Sequence, residues 1–134
     1  MKLSSKSLTA IKLFIDLGEH YNEGFISIVD VAKRKDLSKK FIEQIVPDFK
    51  RSGLLLVNRG NQGGYKLSKS PSEITLKDIV YITENNLIEN KTNDEICDYI
   101  LLGINNLLDE YFSNITLDKL IEKQISSYSN NYVI

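Results

Sequence analysis

Two short helical patterns separated by a three-residue break constrain this chain more than any other feature. Ser27-Ile28-Val29-Asp30 has the S-x-x-D spacing of a capping box, in which the hydroxyl takes an orphan N–H and the carboxylate reaches back. The helix it opens runs only to about Lys35. Lys35-Asp36-Leu37 breaks the pattern, and Ser38 is a good N-cap for a second segment whose apolar residues Phe41, Ile42, Ile45, Val46 and Phe49 repeat every 3.6 residues. Two short helices joined by so tight a turn read as a helix-turn-helix. Pro47 removes the N–H that would reach the Glu43 carbonyl, so a kink is expected there unless packing absorbs it. The turns before it are the part of that helix expected to read bases.

The flanking segments extend the pattern. Upstream, Leu8, Ile11, Phe14, Ile15 and Gly18 follow helical spacing, and that helix ends between His20 and Gly24, with Phe25-Ile26 as a short strand or staple. Downstream, Gly53 stops the second helix and Leu54 to Arg59 reads as a strand. Gly60-Asn61-Gln62-Gly63-Gly64 is a turn, and Tyr65-Lys66-Leu67 returns as a second strand. This order of elements predicts a mainly α fold, a winged helix-turn-helix with a two-stranded β wing. The tip glycines permit positive φ and close backbone approach, as a plain hairpin turn or as a wing entering a groove, and Arg59 and Lys66 favour the wing.

Thr75-Leu76-Lys77-Asp78 is a second capping box, opening a helix to about Glu84, and residues 85–93 form a polar loop. Thr92 to Glu95 caps a longer helix on which Ile96, Ile100, Ile104, Leu107, Leu108 and Tyr111 form one stripe, widened by Leu101 and Leu102. A stripe of that length is more easily buried by a second copy of the chain than by a small domain, so it is the expected dimerisation surface. Thr116 caps a last helix through about Gln124, with the remaining residues expected to fray. The organisation expected is a DNA-binding domain over residues 1–84 and a linker with a helical dimerisation region over 85–134.

Net charge conceals where the charges lie. Residues 1–70 carry 13 Lys and Arg against 7 Asp and Glu, a net +6, whereas residues 71–134 carry 4 against 11, a net −7. A basic front joined to an acidic back suits a nucleic-acid module with a separate helical partner surface. With one His and one Cys, the chain offers too few soft ligands for a zinc cage and no disulfide framework. The ordinary fate of Cys97 is to be a small buried apolar residue. His20, at a helix C-terminus, reads as a surface residue complementing the dipole. No nucleophile, base and orienter set is available, and RGNQGGY lacks the Lys-Ser/Thr of a phosphate loop, so an enzyme is not expected. MKLSSKSLTA has no signal-peptide character and no window approaches the ~20 apolar residues of a membrane span. A cytoplasmic protein without membrane contact is expected.

MKLSSK, Leu37-Ser38-Lys39-Lys40-Phe41-Ile42-Glu43-Gln44, Gly53-Leu54, Arg59-Gly60-x-x-Gly63-Gly64-Tyr65-x-Leu67, Ile74-Thr75-Leu76 and Asn114-Ile115-Thr116-Leu117 together cover nearly the whole chain. In these residues it resembles the IscR/NsrR/CymR-type bacterial transcription regulators. The resemblance implies a homodimeric winged-helix DNA-binding protein, usually a repressor, whose long C-terminal helices cross. Related regulators carry three Cys before that helix as iron–sulfur ligands. Here only Cys97 is present, and one thiolate cannot hold a cluster. No cofactor is therefore expected, and the chain is similar to the cluster-free, CymR-like branch. That branch regulates sulfur or cysteine metabolism and can respond through a partner enzyme. Ser7 and Thr9 depart from the Gly and Tyr common in the first helix of the family.

On this reading double-stranded DNA is the partner. Ser38, Lys39 and Lys40 would meet phosphates, Glu43 would accept from a cytosine amine, and Gln44 would pair with adenine. Arg59 would enter the minor groove, with Gly60, Gly63 and Gly64 letting the backbone come close. Two alternatives stand beside it. One is a protein-interaction module without DNA affinity. The other is a DNA-binding regulator whose sensor is Cys97, oxidised to a sulfenic acid or an intersubunit disulfide. A small molecule or a partner enzyme is the effector expected.

Overall fold

In the computed structural model of the chain, residues 2–61, 63–85, 87–88 and 91–132 are described. Helix α1, Ser5–Glu19, is capped by Ser4, whose hydroxyl accepts from the Ser7 N–H. Its apolar face is the axis of the core: Ala10, Leu13, Phe14 and Leu17 are buried, and α1 packs against the helices Ile28–Lys35, Lys39–Arg51, Leu76–Thr83 and Leu117–Tyr132. At its C-cap, His20 places Nδ1 2.5 Å from a Glu23 carboxylate oxygen, which adds a hydrogen-bond partner to the expected surface role.

Helix α2, Ile28–Lys35, begins at Ser27, whose hydroxyl accepts from the Val29 and Asp30 N–H groups. Only this half of the expected capping box is made among the described residues. Asp36, at φ 52°, turns the chain left-handed and lets the Leu37 N–H close onto the Ala32 carbonyl; the short polar side chain of Asp tolerates that conformation. Ser38 then caps α3, Lys39–Arg51. This helix continues through Pro47 because Ile42, Ile45, Val46 and Phe49 anchor it on both sides of the proline. Phe49 packs on Phe14 with ring centroids 4.8 Å apart.

Gly53, at φ 82°, reverses the chain, and Leu54 is drawn into the core rather than into the sheet. The hairpin is therefore shorter than expected: β1 is Leu55–Asn58 and β2 is Gly64–Leu67, paired antiparallel as Leu55↔Leu67, Leu56↔Lys66, Val57↔Tyr65 and Asn58↔Gly64. Ile26 adds one bridge, its N–H donating to the Tyr65 carbonyl at 2.9 Å and its carbonyl accepting from the Tyr65 N–H at 2.8 Å. Gly64 has to be glycine there, since a Cβ would overlap the Ile26 carbonyl.

Helix α4, Leu76–Thr83, has the full capping box, Asp78 N–H to the Thr75 hydroxyl and Thr75 N–H to the Asp78 carboxylate. The 20-residue helix α5, Glu95–Asn114, is capped by Asp94, not Thr92. The Asp94 carboxylate accepts from the Ile96 and Cys97 N–H groups, while the Thr92 hydroxyl accepts from the Asp94 N–H and donates to Asp98. Helix α6, Leu117–Tyr132, runs well past the expected end at Gln124. Once Leu117, Leu120 and Ile121 fix its first turns on the core, each further residue adds a hydrogen bond at little cost. A two-bond bridge, Leu76 N–H to the Ile115 carbonyl and Leu117 N–H to the Ile74 carbonyl, ties the start of α4 to the start of α6. A smaller cluster of Leu76, Val80 and Phe112 holds α5 on α4.

Candidate nucleic-acid interface

The exposed face of α3 carries Ser38 at its cap and Lys39, Lys40, Glu43 and Gln44 over its first turns, all in solvent. Burial of the opposite face fixes this presentation, since Ile42, Ile45, Val46 and Phe49 cannot turn outward without emptying the core. Glu43, Pro47 and Lys50 follow one another at i, i+4 and i+7 and look toward the wing. Between them and the hairpin lies a cavity of about 510 Å³, walled on the far side by Val57, Asn58, Arg59, Gly60, Gly63, Gly64 and Tyr65, with Ser27 and Ile28 at its end. The structure thus brings Glu43 to the same cavity as Arg59, Gly60, Gly63 and Gly64. Ser38, Lys39, Lys40 and Gln44 lie outside it, on the open part of α3.

Two residues of this surface escaped the sequence reading. Lys50 stands two turns beyond Glu43 on the same stripe, and Tyr65 shares the inward face of the hairpin with Val57, Leu55 and Leu67. The strand period of two, counted outward from buried Leu67, is the signal that places Tyr65 there. Gly63 and Gly64 also have reasons inside the molecule. A Cβ on Gly63 would stand 2.6 Å from the Asn58 carbonyl oxygen, and Gly64 meets Ile26.

Charge pairing separates scaffold from surface. Asp16, fully buried in α1, accepts two bonds from Arg34 of α2 at 2.9 and 3.0 Å, and that bond to Asp16 raises the guanidinium pKa. Lys35 reaches Glu19 at 2.8 Å, and Lys6 reaches Asp48 of α3 at 3.1 Å. The bond from Lys6 holds the Asp48 carboxyl below its ordinary value. These pairs fix α2 and α3 against α1. In contrast, among the described residues Lys39, Lys40, Lys50, Arg59 and Lys66 have no carboxylate within 4 Å. Cations left unpaired on one face raise its potential and attract an anionic partner.

The expected stripe on α5 is largely in solvent. Leu107 is 68% exposed, Ile96 69%, Ile100 53% and Tyr111 60%, with Ile104 at 36% and Tyr99 and Leu102 exposed beside them. Leu108 departs from the stripe and packs against α4. Asp109 accepts from Lys77 at 2.8 Å and from the Tyr81 hydroxyl at 2.9 Å, which sets the inner face of α5 on α4. Cys97, in the first turn of α5, is exposed, against the expectation of a buried thiol.

A helix-turn-helix with an exposed basic second helix, flanked by a β hairpin that shares a cavity with it, defines a winged helix-turn-helix protein. Residues 3–123 match the Rrf2 family, described as an iron-dependent transcriptional regulator, and the chain belongs to that family. It is 26% identical over 133 residues to the HTH-type transcriptional regulator IscR of Pectobacterium carotovorum, an alignment spanning 92% of this chain and 81% of that protein. Its fold is similar to that of CymR, the global cysteine regulator of B. subtilis, with a TM-score of 0.81 and 28% identity over 92% of this chain and 98% of that one. The oxidized form of Staphylococcus aureus CymR superposes with a TM-score of 0.76 and 30% identity, covering 91% and 97% of the two chains. The chain is a transcription regulator of this family.

The iron dependence in the family's description does not fit the donors of this chain. Cys97 is the single cysteine and His20 the single histidine. Among the described residues no group of three or more His, Cys, Asp or Glu is placed to hold a metal ion. An iron–sulfur cluster is held by about four ligands, mostly thiolates, and one thiolate does not supply them. Among the same residues no helix is long and apolar enough to cross a membrane.

Proposed function

We propose that this protein is a sequence-specific DNA-binding regulator, a repressor acting as a homodimer on a pseudo-palindromic operator, without an iron–sulfur cluster and without enzymatic activity. The observation that carries the reading is the exposed face of α3 beside the wing, whose lysines have no carboxylate partner among the described residues. The N-terminal turn of α3 enters the major groove. There Ser38, Lys39 and Lys40 meet phosphates, Glu43 accepts from a cytosine amine and Gln44 pairs with adenine. Arg59 enters the adjacent minor groove. The solvent-exposed stripe of α5 packs against its symmetry mate, so residues 1–84 bind DNA and residues 85–134 join the two copies. Half-sites then lie about one helical turn apart or slightly more.

Selection of bound duplexes from a random pool by the purified protein, followed by a salt titration, tests this. A palindromic winner with affinity falling steeply in salt is expected. Arg59→Ala then weakens binding by ~1–3 kcal/mol and lowers the salt slope, and Glu43→Ala relaxes one base position. Binding to the winner unchanged in both variants would sink the docking.

A second reading concerns control rather than DNA. The exposure of Cys97, with the similarity to a CymR solved in an oxidized form, favours a thiol that forms a sulfenic acid or an intersubunit disulfide. A peroxide-dependent dimer band on a non-reducing gel separates this from control by a partner enzyme or a small effector.

A further inference from the structure

If α3 lies in the major groove and the wing in the neighbouring minor groove, the sugar-phosphate strand dividing the two grooves has to cross the gap between helix and hairpin. In this protein that gap is the 510 Å³ cavity. One wall is the α3 stripe of Glu43, Pro47 and Lys50. Glu43 and Lys50 are seven residues apart, about 10 Å along the helix. Glu43, in the turns proposed to face the bases, and Lys50, two turns further on, both line the cavity. The other wall is the inward face of the hairpin, on which Tyr65 follows buried Leu67 outward.

Tyr65 is a rigid fixture of that wall. Its main chain exchanges both hydrogen bonds with Ile26, and the ring is half-buried. Burial, and after it the charge of Glu43, hold the phenol above its ordinary pKa, so it remains a proton donor. Among the described residues its hydroxyl has no hydrogen-bond partner, and Lys50 has no carboxylate within 4 Å. A fixed neutral donor facing a mobile ammonium across one cavity matches the oxygens of a phosphodiester, which need donors and charge but carry no sequence information. We infer that the cavity seats one backbone phosphate of each half-site, held by the Tyr65 hydroxyl and the Lys50 ammonium. This rests on the docking proposed above.

The test uses the full-length protein with its selected operator and with a random duplex of equal length, and moves a single neutral methylphosphonate along the operator backbone. One position in each half-site is expected to weaken the wild type about tenfold. Tyr65→Phe weakens operator and random duplex alike, by about tenfold, with the salt slope unchanged because no charge is lost. Lys50→Gln lowers the slope by about 0.9 for each half-site. In both variants the methylphosphonate at that position has no further effect, the base preference is that of the wild type, and the thermal transition is retained. A phosphate scan of Tyr65→Phe and Lys50→Gln identical to the wild-type scan, while Glu43→Ala still relaxes a base position, overturns the phosphate seat and leaves the docking in place. Duplex binding by the wild type that shows no salt dependence overturns both.

Discussion

The α3–wing surface and the outer face of α5 are opposite solutions to the same problem of what to leave in water. On the first, the apolar residues are inside and the charges are out: Ile42, Ile45, Val46 and Phe49 are buried while Lys39, Lys40, Lys50 and Arg59 have no ion-pair partner among the described residues. On α5 the apolar residues are out. Phe112 is its one buried residue, and Leu107, Ile100 and Tyr111 face solvent. A finished surface with excess positive charge attracts an anion, whereas a contiguous apolar face on a long helix marks an interaction surface. The first region is complete within one chain, whereas on the proposed function the second is completed by another copy.

The sharpest way to break that contrast is to charge the α5 face. Leu107→Asp is expected to leave the single chain folded, because Leu107 is mostly in solvent there, and to convert the dimer to monomer in equilibrium sedimentation. Loss of the second half-site then weakens operator binding by about 10²-fold or more. A dimer of unchanged stability in that variant would place the interface elsewhere. Gly64→Ala addresses the other region. The added Cβ has to displace Ile26, opening the two bonds that pin the wing, at a cost of about 2–3 kcal/mol in a urea melt. DNA binding weakens while the association state stays as in the wild type, so the two regions fail separately.

The smallest effect expected is at the joint between them. Glu84, at the C-cap of α4, accepts from the Ser4 N–H and hydroxyl at 2.8 Å and from the Ser7 hydroxyl, tying the end of α4 to the start of α1. Burial opposes its charge, but the bonds from Ser7 and Ser4 outweigh it and lower the carboxyl pKa. A depressed carboxylate contributes stability above its unfolded value, and that contribution is lost as pH falls through the folded one. Glu84→Gln is therefore expected to cost about 1 kcal/mol at neutral pH, with the gap to wild type closing as pH drops below the ordinary carboxylate range. A gap independent of pH between 7 and 3 would remove the carboxylate from the account.

Much of the fold was legible residue by residue, because local chemistry decides it. Ser38 caps α3, Asp36 and Gly53 turn the chain, Thr75 and Asp78 close a capping box, and the 3.6-residue pattern of α3 names its buried face without reference to anything else in the chain. Where the sequence misled, a neighbour was decisive. Asp94 displaced Thr92 as the cap of α5 because Thr92 is engaged with Asp98, and α6 outran its polar composition because α1 holds its first turns. Cys97 is exposed although its residue type favours burial, because tertiary position and not residue type decides exposure.

The candidate site divides the same way. Its residue types and their order, a Ser-capped basic helix followed by a glycine-tipped hairpin bearing Arg59, were set by the sequence alone, since capping and turn conformations are properties of a few adjacent residues. That Glu43, Lys50, Arg59 and Tyr65 share one cavity was decided only in three dimensions. The distance between a helix face and a hairpin face depends on how both pack on α1 and on the Ile26 bridge, and no local pattern encodes that packing.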